Sequence, residues 1–195
     1  MRLEEFRHTW RTEDDRAIFA ELVFCLLTPQ SNALKCWQAT RRLEEKRLTL
    51  TGRVDRVAGE LSGVRFHNNK ARYIVEARRL HVKRGAGNLR RRLDALENPF
   101  DRREWLVRNV KGLGYKEASH FLRNIGLGET LAILDRHILR HLLKLSVIAA
   151  LPTCFSRARY LEVEEKMRKL ASELEIPMDH LDLLLWFIET GTIFR

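Results

Sequence analysis

Apolar residues recur at helical spacing along almost the whole of this 195-residue chain, and no window sustains an alternation of period two. Spacings of three and four gather apolar side chains on one helical face, whereas a strand needs every second residue, so the pattern predicts an all-α fold with almost no sheet. Ile18, Phe19, Leu22, Val23, Leu26 and Leu27 mark one such face. Their helix begins near residues 12–15 and ends at Thr28-Pro29, because the residue before a proline is pushed out of helical geometry. The same spacing predicts helices over 33–42, 54–61, 69–82, 89–96, 100–109, 115–125, 136–145, 156–174 and 179–189. Ser62-Gly63, Gly85-Ala86-Gly87 and Gly126-Leu127-Gly128 supply stops, Pro99 sits where a helix start tolerates proline, and Asp135 is a natural N-cap.

Two of these helices are joined by only four residues, Lys111-Gly112-Leu113-Gly114. So short a link makes them antiparallel neighbours or crosses them sharply. Gly112 and Gly114 can take positive φ and let the backbone approach a ligand. The next helix then aims N–H groups and its positive dipole end at an anion, and phosphate is the natural occupant. A plain tight loop is the competing reading. The basic neighbours Arg108, Lys111 and Lys116 favour phosphate.

Charge points the same way. A formal net charge of +10 and an isoelectric point near 10.0 imply a polyanionic partner: DNA, RNA or an anionic membrane surface. A highly charged surface with no such partner is the alternative. The length suits one domain or two small lobes sharing a core, and a hydrophobic fraction of 45% is that of a globular chain. No stretch approaches the roughly 20 apolar residues that span a bilayer, and the charged start Met1–Arg7 has no signal-peptide core; a cytoplasmic protein is expected. Cys25, Cys36 and Cys154 are scattered, with no Cys-x-x-Cys pair. Their number excludes a disulfide framework, a zinc ribbon and a four-cysteine iron–sulfur cluster.

Lys116 and His120 lie four apart on one predicted helix and so share a face. A lysine attacks carbon only as the neutral amine, which burial or a neighbouring cation favours. Leu113, Phe121 and Leu122 make partial desolvation plausible, and Asp135 is placed to stabilise a cationic transition state and orient the amine. Each residue also has an ordinary role: a solvated lysine, a core histidine, a helix cap. His137 and His141 have the spacing of a two-histidine metal site but lack a recognisable third ligand, so no metal is expected. Arg90-Arg91-Arg92 either extends a basic face or is solvated charge.

The run Lys111–Asn124, followed by Ile133-Leu-Asp-Arg-His137, resembles the helix–hairpin–helix superfamily of DNA glycosylases, and within it the archaeal-type 8-oxoguanine DNA glycosylase/AP lyases. Leu26–Asn32, Val64–Ala71 and Leu185–Arg195 carry further likeness, so the resemblance covers essentially the whole chain. It implies a single unit over 1–195 with two helical lobes around a cleft. Lobe one is roughly 16–128, with the hairpin at 100–125; lobe two is roughly 1–15 plus 129–195. It also implies that Lys116 attacks the sugar C1′, expels 8-oxoguanine and leaves a Schiff base that β-elimination resolves, with Asp135 as its catalytic partner. A flipped base needs faces to stack on and hydrogen bonds to its edge. In the family an aromatic near the C-terminus and the terminal residue contact the lesion. Trp186 and Arg195 hold those places here, with arginine where the family typically ends in lysine.

Phe66 and His120 are further base-pocket candidates, with core packing as their alternative. Gln30 or Asn32 would fill the gap left by the flipped nucleotide. The expected partner is double-stranded DNA containing 8-oxoguanine, bound by a monomer at the nucleoid without a cofactor. Two other functions remain open: the same fold acting on another oxidised base, as in endonuclease III, and a hairpin module that only binds DNA.

Overall fold

A computed structural model describes residues 2–82 and 88–191, and every regular element among them is helical. In chain order these are α1 (Arg2–Thr12), α2 (Asp15–Leu27), α3 (Ala33–Glu45), α4 (Val54–Glu60), α5 (His67–Ala77), α6 (Arg79–Val82), α7 (Leu89–Asp94), α8 (Pro99–Asn109), α9 (Tyr115–Asn124), α10 (Arg136–Lys144), α11 (Arg157–Glu173) and α12 (Met178–Thr190). Short polar side chains start several of them. The carboxylate of Asp14 accepts from Ala17 N–H at 2.8 Å, and the side chains of Asn32, Asn88, Asn98 and Ser156 accept likewise at α3, α7, α8 and α11.

The helix predicted over 69–82 is instead two, α5 and α6, meeting at Arg78. The Arg78 side chain donates to the carbonyls of Thr49 at 2.7 Å, Leu48 at 2.6 Å and Gly52. It thereby ties this junction to the loop after α3, a long-range demand that local periodicity does not carry. The predicted stop at Gly85–Gly87 lies outside the described residues. Arg90 is neither solvated nor displayed. It stacks 4.5 Å from the Trp10 ring, donates to the Trp10 and Glu13 carbonyls at 2.6 Å, and pairs with Asp15 at 2.8 Å, pinning α7 to the α1–α2 junction.

Buried apolar residues form two main clusters. One draws on α2 to α9 and ends at Leu131; the other begins at Ala132 and draws on α10 to α12. The N-terminal helix serves both. Phe6 and Leu3 pack on Leu183 of α12, while a side chain at Gly126, beyond α9, would meet the Phe6 carbonyl at 2.6 Å.

Two buried arginines cross between the clusters. Arg103 of α8 grips Glu164 of α11 in a bidentate pair, Nη1–Oε1 2.6 Å and Nη2–Oε2 2.7 Å. The Tyr115 and Tyr160 rings stand 5.4 Å from its guanidinium, and Glu164 also accepts from Ala132 N–H at 2.9 Å. Arg123 of α9 donates to Asp182 of α12 at 2.8 Å. Burial pushes the Asp182 carboxyl up to about 6 despite Arg123, and the nearby charge of Asp135 adds to the rise.

Candidate active site and DNA-binding hairpin

The turn between α8 and α9 is held from inside by Leu113, whose N–H donates to Val110 O at 3.1 Å and whose side chain is buried. Lys111, Gly112 and Gly114 remain exposed. Gly112 has φ +87°, and a Cβ there would lie 2.3 Å from the Tyr73 ring of α5. Glycine is therefore required twice over, for the left-handed backbone and for the close approach of the ring. Gly114 differs from expectation. Its backbone is extended, with φ −90° and ψ −178°, because it is the N-cap of α9 and that position calls for extended geometry.

Lys116 stands in the first turn of α9, its side chain 28% exposed, so it is largely but not wholly withdrawn from water. Its Nζ lies 2.9 Å from Glu117 Oε1. Asp135 caps α10, accepting from the N–H groups of His137 at 2.8 Å and Ile138 at 2.9 Å. Among the described residues no ion pair joins Lys116 to Asp135. The electrostatic reach of Asp135 to Asp182, the partner of Arg123, ties its surroundings to the helix that bears Lys116.

The remaining candidates separate by exposure. Phe66 is 53% exposed, so core packing does not account for it. It holds φ +58° at the N-cap of α5, with the Arg65 guanidinium 5.4 Å from its ring. His120 is buried, edge-on to Phe24 at 5.7 Å. Gln30 is exposed at φ +54°, and its side chain has no hydrogen bond among the described residues; the Asn32 side chain is engaged in capping α3. Trp186 is half-buried, edge-on to His137 at 5.2 Å. Arg195 lies outside the described residues.

Spacing rules do not find three further groups. Lys70 of α5 is buried and donates to Leu27 O, Pro29 O and Ser31 Oγ at 2.8, 2.7 and 3.0 Å, while Ser31 Oγ also accepts from Arg65 N–H at 3.0 Å. These bonds stitch the Gln30 loop to the Phe66 loop. Burial pulls the Lys70 ammonium below the usual lysine range. Glu189 reaches His137 Nδ1 at 3.4 Å and lies 3.2 Å from His141 Nε2, the latter without hydrogen-bond geometry. Among the described residues no group of three such side chains is arranged to hold a metal ion. The third group is Glu117, hidden because adjacent helical residues do not face one another. A cavity of about 370 Å³ between the 148–154 loop and α11 is lined by none of the candidate residues.

The exposed turn, the glycine at positive φ and the N-terminus of α9 define a helix–hairpin–helix protein. Comparison with known proteins narrows this class. A family model described as 8-oxoguanine DNA glycosylase matches residues 1–176. The chain is 48% identical over 194 residues to the 8-oxoguanine DNA glycosylase/AP lyase of Fusobacterium nucleatum, covering 100% of this chain and 89% of that one. Its fold matches the crystal structure of the Methanocaldococcus jannaschii 8-oxoguanine glycosylase/lyase in complex with 15mer DNA containing 8-oxoguanine, with a TM-score of 0.89 at 36% identity over 100% of this chain and 90% of that one. The 8-oxoguanine DNA glycosylase of Thermotoga maritima is similar as well, with a TM-score of 0.88 at 37% identity over 100% of this chain and 89% of that one. The chain belongs to the 8-oxoguanine DNA glycosylase family.

Proposed function

We propose that this chain is a bifunctional DNA glycosylase/AP lyase that excises 8-oxoguanine and then nicks the strand by β-elimination. The observation that carries this reading is Lys116: an amine shielded from bulk water, in the first turn after the exposed glycine hairpin, in a chain of this family. Hydrolytic base removal needs only an activated water, whereas lyase chemistry needs an amine to form the Schiff base. In this reading Lys116 attacks C1′ and Asp135 stabilises the cationic sugar electrostatically. Lys111, Gly112 and Gly114 hold a phosphate through charge and backbone N–H groups. Phe66, Trp186, His120 and Arg195 border the flipped base, and Gln30, rather than the capping Asn32, fills its place in the duplex. The enzyme acts as a monomer on double-stranded DNA in the cytoplasm, at the nucleoid.

Borohydride trapping on a duplex containing 8-oxoguanine tests the central assignment. A covalent complex is expected with wild type and none with Lys116→Ala; trapping that persists in the variant removes Lys116 from the nucleophile's role. Cleavage of a lesion panel tests the substrate, and a preference for thymine glycol would replace 8-oxoguanine. Binding without cleavage at an abasic site would reduce the protein to a DNA-binding hairpin.

A further inference from the structure

Glu117 is the acidic side chain that touches the Lys116 amine, at 2.9 Å, yet its place on α9 does not call for that contact. Neighbours in a helix point about 100° apart, so the lysine stem must fold back to reach the carboxylate. The usual duty of a glutamate three residues after an N-cap is to accept from the cap's own N–H. No bond from Gly114 N–H to Glu117 is made among the described residues. The carboxylate is instead buried, 12% exposed, with Oε2 only 3.0 Å from the position a Gly114 side chain would occupy. The hairpin glycine thus leaves room for this carboxylate.

Besides His120, which lies one turn after Lys116 on α9 and packs edge-on to Phe24, the titratable groups near the pair are unsuited to take a proton. Lys70 from α5 is a cation already donating three hydrogen bonds. Burial pushes the Cys25 thiol of α2 up and the Cys36 thiol of α3 up to about 11, so both stay protonated. Arg65, ahead of α5, and Arg123, further along α9, are permanent cations. One oxygen of Asp135 is held by two backbone N–H groups, which bind a carboxylate best when it is ionised.

We propose that Glu117 is the proton acceptor for Lys116 and releases the neutral amine that attacks the sugar. The inference rests on Lys116 being the nucleophile. One proton moves from Nζ to Glu117 Oε1. The amine's electron pair then forms the bond to C1′ while the glycosidic bond breaks and its pair leaves with the base. Attack leaves the positive charge on the nitrogen now bonded to C1′ and the negative charge on the departing base; the base takes up, through solvent, the proton held by Glu117, which returns to its carboxylate, so atoms and charge balance.

Single-turnover excision of 8-oxoguanine by wild type and Glu117→Gln, measured from about pH 6 to about pH 9.5, tests this assignment. Near neutrality the variant is expected to be slower by about a hundredfold, the lower range for a lost acid–base group, with the deficit shrinking as solvent base removes the lysine proton instead. A deficit constant with pH marks a structural role and overturns the proposal. So does a wild-type rate, or faster excision near neutrality, which would make Glu117 a restraint on the ammonium. Should Glu117→Gln fail to fold, Glu117→Asp is read by the same criterion: a deficit that shrinks with pH supports the proposal and any other profile overturns it. Lys116→Ala in the trapping assay stands apart from these outcomes. Persistent trapping there refutes the parent reading whatever Glu117 does.

Discussion

Gly112 bears a backbone constraint and a packing constraint together, which makes it the sharpest single-residue test of the hairpin. Any side chain there meets both a φ of +87° and the Tyr73 ring. Gly112→Ala is expected to cost about 1–3 kcal/mol of stability and to weaken DNA binding, read by urea denaturation and by titration of a duplex. Its glycine character is legible in the sequence, but the ring against it is not, since Tyr73 comes from a helix 39 positions earlier. The cysteines give a second test. Cys154 is exposed, while Cys25 and Cys36 are buried with thiols pushed up and held protonated. A thiol reagent is expected to titrate one group in the native protein and all three once it is unfolded. Two fast-reacting native thiols would contradict that burial.

Among the elements, α9 joins three tasks along ten residues. Its N-terminus faces the hairpin, its first turn carries Lys116, and its last turn sends Arg123 into the interior. Helix α8 completes the joint through Arg103 and Glu164. Removing one partner of a buried pair leaves an uncompensated charge, so Glu164→Ala is expected to destabilise by about 3–5 kcal/mol in urea denaturation. A loss below about 1 kcal/mol would mean that water reaches Arg103 in the variant. Apart from α1, which the apolar spacing did not mark, helix positions follow from the periodicity, and Asp135 caps α10 as expected. The break at Arg78 and the clamp made by Arg90 do not, because both answer to carbonyls from distant segments.

For the whole molecule, a net charge of +10 serves a polyanionic partner, and affinity for duplex DNA is expected to fall steeply with salt. Lys111→Ala is expected to lower the slope of log affinity against log salt by about one and to weaken binding alike across sequences, as loss of one phosphate contact does. An unchanged slope would remove Lys111 from the phosphate set. Where the two clusters meet, Asp182 makes folding depend on pH. Its carboxyl lies near 6 in the folded protein, above its ordinary value near 3.8, so the folded state holds the extra proton between those values. That contribution is fully present below about 3.8 and is lost as pH rises through about 6. Asp182→Asn is expected to flatten the stability profile over that window in denaturation series; an identical slope would assign it to another group.

The sequence by itself determined the helices, the hairpin, the cationic character and, through the Lys111–Asn124 run and Asp135, the family. These are local patterns, set by spacing, capping and charge that neighbours along the chain can satisfy. Only the tertiary structure decided that Phe66 is displayed while His120 is buried, that Gly114 is extended, and that Asn32 is engaged where Gln30 is not. It alone brings Lys70 to the Gln30 loop and Glu189 to His137 and His141, and it alone folds the Lys116 side chain onto Glu117. Burial and contact depend on what other segments bring to a position, and no spacing along one helix specifies that.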